Sequence, residues 1–556
     1  MATNANVPEP QNEYSNERSP LLAGPRISQP INGIEENCEH EQGADDAAKT
    51  SNGVNVQRSA SPVTVVLVLI VGVFIAQLDV SYVLTTHSIV ASEFGQLSNS
   101  SWIILGYSLA MCAVQPLFGK LSDAFGRKEC LIIAYTFFAI GSLVCGIANS
   151  LILVVLGRVI AGIGGAGANV LVSLILLDLV PLREVASLRS YVNIAATTGR
   201  SLGGPIGGFL ADTIGWRWSF ILQCPLLAVA AILAWFLVPH KDHTGKQEKS
   251  ILARLARIDF IGAGLLATAI TTLMMAVELL GQRLRWNHPI LLGLVAASTV
   301  SGVLFLATEA YWAPEPVFPL HLLKKRDVVC SYLMLGMQVA AQLGLMFCVP
   351  VYFQVTQNAS ASLAGAHLFP AVGGNAIGSL ITGMVIKRTG RYKILAVSAT
   401  MVAGICYTLL ILRWHGDTNW AESLYIIPGG FGSGMAESAI FIGLTASVDP
   451  SLHAIALSGL FQSTNIGVIG GLTASSAVLQ AVLKRELDHT LTGYKHKQKI
   501  IEDAVSSIDY VLHSKGRLRD ILVKAYVVGL EYTHGVSLIC VAIAFVASLF
   551  IRQRNL

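Results

Sequence analysis

Charge is scarce in this chain. Only 13% of its 556 residues are Asp, Glu, Lys or Arg, against roughly 25% in an ordinary soluble domain, which excludes a water-soluble multidomain enzyme. The nine cysteines have no paired spacing, and Cys112, Cys145, Cys406 and Cys540 lie inside apolar runs. A disulfide scaffold and a cysteine metal site are therefore excluded, and the thiols read as small packing residues. No phosphate-binding loop is present either: the glycine-rich stretch 162–167 lacks the lysine that must follow it, so ATP-driven transport has no motif to rest on. Nor is there a nucleophile constellation or a metal-ligand spacing. The expectation is a protein that is not an enzyme, takes no cofactor and binds no nucleic acid.

Apolar sequence is what the chain has in abundance. Hydrophobic residues make up 53% of it, and runs of the ~20 residues needed to cross ~30 Å of hydrocarbon recur along its length. Fourteen are counted, from 63–86 to 535–551, with the fifth at 190–211, the twelfth at 423–447 and the thirteenth at 455–483. The loops after even-numbered runs carry 17 Lys and Arg, whereas Arg217, Arg283, Arg285 and Arg413 are the four on the other face. By the positive-inside rule the basic face and both termini are cytosolic. Two glycosylation acceptors, Asn99 and Asn358, both fall on the non-cytosolic side of this topology.

Residues 1–62 differ in kind. They hold nine acidic and four basic residues and are rich in Asn, Ser, Pro and Gly, so they are expected to form a disordered acidic cytosolic tail. No apolar stretch occurs in the first 30 residues, so there is no signal-peptide pattern, and the first span is expected to direct insertion. Glu17, Leu21 and Leu22 fit the acidic dileucine pattern read by adaptor coat proteins. After the tail, the reading places an N-terminal six-helix bundle at 63–239, a linker region with two extra spans at 240–327, and a C-terminal six-helix bundle at 328–556. A long lumenal loop at about 484–534 interrupts the last bundle, with a weakly amphipathic stretch at 500–512.

The most informative local segment is 120–128 with Gly119 before it: Gly119, Asp123, Gly126, Arg127 and Lys128 stand between the second and third spans. Glycines permit close helix approach and a sharp turn, while Asp123 can cap a helix or pair with a basic residue across a cytosolic gap. This spacing resembles the loop signature of the major facilitator superfamily. Arg158 with Gly162, Gly164 and Gly165 resembles the superfamily's fourth-span pattern. Gly199, Gly203, Gly207 and Gly208 resemble its antiporter-type fifth-span glycine series, with Pro205 one place later than usual. Further matches over about 70–230 (Gln77, Leu78 and Asp79; Gln115 to Phe118; Gly215 to Phe220) are similar to the fourteen-span drug:proton antiporter-like branch. Within it, the stretches from Leu105 to Asp123 and from Gly199 to Trp218 are similar to fungal vacuolar basic amino acid transporters.

The resemblance implies an all-α membrane protein of the major facilitator fold, two six-helix bundles plus two extra spans. It implies a vacuolar membrane carrier that exchanges lumenal protons for cytosolic Lys, Arg or His, the partners being a small cationic amino acid, protons and membrane lipid. A plasma-membrane exporter of drugs or siderophores is the alternative in the same class, and a nutrient receptor without flux the alternative in another.

Ionisable groups within spans cost several kcal/mol unless they face protein or water, so each is a candidate. Asp79 in span one and Glu437 in glycine-rich span twelve are the candidate substrate- or proton-binding carboxylates, one from each half. The alternative for Asp79 is a structural partner of a polar helix. Arg158 either holds a carboxylate or assists proton transfer, with a structural ion pair as the alternative, and Arg200 can receive a substrate carboxylate through its two-pronged guanidinium. Asp178 and Glu184 read as latch or solvated residues and Glu278 as structural. Many span amides, among them Gln77, Gln115, Asn193, Gln223, Asn375 and Asn465, are not sorted by sequence alone.

Overall fold

The computed structural model describes residues 61–96, 99–239, 259–282, 287–312, 320–492, 494, 496–506 and 508–556. The sorting residues Glu17, Leu21 and Leu22, the loop 240–258, and Arg283 and Arg285 lie outside the described residues.

Among the described residues the regular structure is helical throughout. Helix α1 is Pro62–Glu93, α2 Ser101–Phe125, α3 Arg127–Gly146, α4 Leu151–Leu179 and α5 Leu182–Thr213. Helix α6 covers Trp216–Leu237 with a break at Leu222. Then come α7 Phe260–Gln282, α8 Pro289–Tyr311, α9 Arg326–Gln357, α10 Phe369–Thr389, α11 Lys393–Arg413, α12 Ile427–Ser447 and α13 His453–Thr490. The last three are α14 Lys497–Ser506, α15 Ile508–His513 and α16 Arg517–Phe550.

Local chemistry sets several boundaries. Ser61 accepts from the Thr64 amide, and Pro62, which has no N–H to leave unpaired, opens α1. Gly126, at φ +104°, makes the turn between α2 and α3 that a side chain would strain.

Twelve of these helices are long and apolar enough to cross a membrane. Helices α5 and α12 are comparably long but too polar to qualify, because α5 carries Arg183, Arg189 and Arg200 and α12 opens on glycines and carries Glu437. Both are packed within the assembly. Helix α5 lies against α1 and α10, and α12 against α10 and α11, where neighbouring helices replace the lipid that such residues disfavour. Close approach needs small residues: a Cβ at Gly199 would stand 2.6 Å from the Phe74 carbonyl oxygen of α1.

The early helices α1 to α6 pack mainly among themselves, as do α9 to α13 with α16. Helices α7 and α8 pair with each other, and α7 rests on α2 and α13. They are peripheral: 17% of the apolar window of each is buried, against 78% in α4.

The segment 484–534, expected as a loop, is mostly helical. Helix α13 runs on to Thr490, and α16 begins at Arg517 rather than near 535. Lys484, Arg485, Glu486 and Asp488 end the apolar run but not the helix, because Leu479, Leu483 and Leu487 keep a buried stripe every fourth residue. They join Ile501, Ala504, Val511 and Leu522 in one apolar core, and Tyr526 donates to the Ala504 carbonyl at 2.7 Å. The amphipathic stretch near 500–512 thus packs on α16.

Candidate functional site

Two constellations form inside the helices. In the first, Asp79 of α1 and Arg158 of α4 pair at 2.7 Å, with exposures of 0% and 1%. Gln223 of α6 donates to the second Asp79 oxygen at 3.1 Å, and Arg158 Nε donates to the Ile103 carbonyl at 3.3 Å. The guanidinium lies over the Tyr107 ring, 4.5 Å from its centroid. Every partner of Asp79 comes from the first six helices. Breaking such a buried pair on one side costs about 3–5 kcal/mol, because the remaining charge has nowhere to go.

The second constellation lies where α5 meets the later helices. Arg200 donates through Nε and Nη2 to Gln77 Oε1 of α1, at 3.2 and 2.8 Å. Glu437 of α12 is half-buried and feels the charges of Arg200 and Arg189. On α5, Arg189, Asn193, Thr197 and Arg200 are spaced 4, 4 and 3 apart, which puts them on one helix face. That face looks across to the later helices. Asn193 and Thr197 both donate to Asn375 Oδ1 of α10 at 3.0 Å, and Ser190 donates to the Ser379 carbonyl at 2.7 Å.

Asp79 and Glu437 are therefore not brought together. Asp79 is sealed by Arg158 and Gln223, which leaves Glu437 as the carboxylate at the meeting of the halves.

Arg189 is not marked by the sequence: a fifth span at 190–211 leaves it among the loop charges. Helix α5 begins at Leu182, so Arg189 is two turns inside it. The eleven-residue spacing from Arg200, three helical turns, is the signal that was present. The structure also sorts the amides: Gln77 holds Arg200, Gln223 holds Asp79, and Asn465 of α13 donates to Gln115 Oε1 of α2 at 3.0 Å.

These contacts between halves run from the middle of the helices to the end carrying the loops 120–129 and 387–393. At that basic end Gly119 abuts Ala454 and Ser458 of α13, and Gly383 abuts Ala186 and Ser187 of α5. The latch charges pair nearby: Arg127 reaches Asp123 at 2.6 Å and Asp178 of α4 at 3.3 Å, and also contacts Ser122. Lys128 lies 5.5 Å from the centre of the Trp235 ring. Asp123 thus pairs within α2 and α3, and Gly119 makes the contact across to α13.

In the glycine series, Gly199, Gly203 and Gly207 press on α1, whereas Gly208 has open space beside it. Pro205 sits inside α5 without ending it. Asn99 and Asn358 are both exposed, and Asn358 ends α9 in the left-handed conformation, φ +56°. Among the described residues no three His, Cys, Asp or Glu side chains gather as a metal site.

Comparison with known proteins extends this picture. The family model described as Major Facilitator Superfamily matches residues 69–474. A Schizosaccharomyces pombe protein named vacuolar membrane amino acid uptake transporter fnx2 is 33% identical over 96% of this chain and 90% of its own. The multidrug resistance protein fnx1 of the same organism is 31% identical over 88% and 92%. The vacuolar basic amino acid transporter 2 of Saccharomyces cerevisiae is 26% identical over 81% and 97%. Among solved structures, the human organic anion transporter MFSD10 superposes with a TM-score of 0.57 at 13% identity, over 87% of this chain and 99% of that one, a likeness of fold. With a family match across most of its length and a relative a third identical over nearly all of it, the chain belongs to the major facilitator superfamily and is a membrane transporter rather than an enzyme.

Proposed function

We propose that this transporter moves basic amino acids, Lys, Arg and His, from the cytosol into the vacuole in exchange for lumenal protons. The observation that carries the reading is the separation of a sealed Asp79–Arg158 pair from Arg200 and Glu437, both half-buried, on helices of the two halves that pack on each other. A proton and an amino acid need different hosts. Arg200 can exchange its bonds to Gln77 for the substrate α-carboxylate, with the planar fork that such a group requires. Glu437 then receives a cationic group of the substrate. With the halves in contact at the basic end, this site is assigned to the lumen-facing state, in which protonation of Glu437 releases the cation. Asp79 is assigned the coupling proton, which loosens its hold on Arg158.

The frame of this reading is fourteen spans with cytosolic termini, α5 and α12 included, divided as bundles at 63–239 and 328–556 with the extra pair in 240–327. Glu17, Leu21 and Leu22 serve as the adaptor-read vacuolar sorting signal, and Asn99 and Asn358 as lumenal glycosylation sites. The names of two relatives support the vacuolar membrane and amino acid substrates.

A second reading, proton-driven export of drugs or siderophores at the plasma membrane, is favoured by one observation. With Asp79 sealed, the site offers one carboxylate, Glu437, and the Arg189 guanidinium that its charge acts on lies over the Phe441 and Phe461 rings. Uptake of labelled lysine, arginine and histidine into sealed vacuolar vesicles, from cells with and without the protein, tests the choice. Gradient-dependent uptake that needs the protein supports amino acid exchange. No difference, with the protein confirmed in the vesicles, moves the assignment to drugs or siderophores.

A further inference from the structure

Arg189 reaches out of the first six helices. Its Nη1 donates to Ser173 Oγ of α4 at 2.9 Å, which aims the guanidinium. Its centre lies 4.9 Å from the Phe441 ring of α12 and 5.6 Å from the Phe461 ring of α13. A cation is drawn to aromatic faces, more strongly where water is excluded, so Arg189 joins the two halves near the closed basic end. Phe441 is one helical turn beyond Glu437, and the charge of Glu437 acts on Arg189.

We propose that Arg189 is a positioning residue that ties the charge on Glu437 to closure of the basic end. While Glu437 is anionic, Arg189 is held against Phe441 and Phe461 and the halves stay together there. Once a bound cation or a proton neutralises Glu437, the hold weakens and that end can part. Parting moves α5 away from α12 and α13, so it breaks both ring contacts and lengthens the Arg189–Glu437 separation, along which the attraction falls. A ligand shifts a conformational equilibrium only by interacting differently with its two states, and Arg189 supplies that difference.

The elements packed on α12 are α5, α9, α10, α11, α13 and the short helix Trp420–Ile426, whose Glu422 is paired with Arg413. Among the described residues the charges acting on Glu437 are Arg200 and Arg189, both on α5. Arg200 is occupied by Gln77, farther from the basic end, whereas Arg189 touches the rings of the opposite half. The inference rests on the proposed transport role of Glu437 only for what neutralises it.

The test is thiol accessibility at the closed end, in the full-length protein in sealed vesicles with the basic face outward. Ser187 packs against Gly383 there, so Ser187→Cys reports opening to a membrane-impermeant maleimide, with the same protein lacking that change as the blank. Glu437→Gln is expected to raise its modification rate at least about fivefold, the low end of usual coupling between sites. Arg189→Gln is expected to raise it similarly, and Glu437→Gln to add nothing in the Arg189→Gln background. An unchanged rate in Glu437→Gln, or a full effect of Glu437→Gln without Arg189, overturns the proposal. Should Arg189→Gln not fold, Phe461→Leu keeps an apolar side chain and removes one ring face. The Glu437→Gln effect must then shrink, and an undiminished effect overturns the link. Loss of amino acid uptake is read separately: a carrier that takes no basic amino acid but keeps this thiol pattern refutes the substrate and retains the coupling.

Discussion

Arg158 Nη1 stands 2.7 Å from Asp79 Oδ2, and solvent reaches neither side chain. Two opposite charges so placed form a single neutral unit, and altering either one changes what the other must bear. Asp79→Asn keeps an oxygen for the guanidinium but removes its counter-charge, so the protein is expected to remain in its membrane, with part of the stability cost of breaking the pair, while proton-driven uptake falls to background. Arg158→Ala strands the carboxylate and is expected to cost about 3–5 kcal/mol. Immunoblotting of membranes, vesicle uptake and thermal unfolding in detergent separate the two effects, and normal transport by Asp79→Asn removes Asp79 from the mechanism.

The glycine series of α5 is not uniform. A Cβ at Gly203 would run into the Leu78 carbonyl and Ser81 of α1, while one at Gly208 would meet nothing within 4 Å. Gly203→Ala is expected to destabilise by about 1–3 kcal/mol through overpacking. Gly208→Ala is expected to be neutral, or to stabilise by up to about 1 kcal/mol through helix propensity. Thermal unfolding of both variants checks the contrast, and equal losses would contradict the packing described.

Acid sensitivity has a legible source outside the spans. Arg413 donates to Glu422 at 2.6 Å, and the Asn419 amide donates to its other oxygen at 3.1 Å. These bonds, that of Arg413 above all, hold the Glu422 carboxyl below its ordinary value of 4.5. A depressed folded value means a contribution present above the unfolded value and lost as pH falls through the folded one. Glu422→Gln is therefore expected to be slightly less stable than the parent at neutral pH, with the two unfolding curves converging below about pH 4. Parallel curves at every pH would remove Glu422 from the acid response.

Topology is open to a direct check. Asn99→Gln and Asn358→Gly are each expected to remove one glycosidase-sensitive step in gel mobility, the glycine keeping the left-handed φ that position 358 adopts. A glycan on an acceptor introduced into the loop 120–129 would reverse the assigned orientation.

Much of the bundle was legible because hydropathy alone marks a spanning helix, as in α1 and α4. The charged pair was legible in its members, since Asp79 and Arg158 stand out in apolar surroundings, but not as a pair, because 79 residues separate them. Arg189 was hidden by a boundary. Starting the fifth span at 190 made it a loop charge, although its face is shared with Arg200. The extension of α13 was hidden by Lys484 to Asp488, whose charges end an apolar run without ending a helix that still buries Leu483 and Leu487. The amides were unreadable because Gln77, Gln115 and Gln223 are defined by partners on other helices, which sequence does not bring together.

The central claim is exchange of protons for basic amino acids. Purified protein in sealed liposomes, acidic inside and carrying an internal pH dye, receives lysine, arginine or histidine from outside. The account requires labelled amino acid to enter while the interior turns alkaline, with both signals absent in Asp79→Asn. Amino acid entry that ignores the proton gradient, or a gradient that none of the three amino acids discharges, would contradict it.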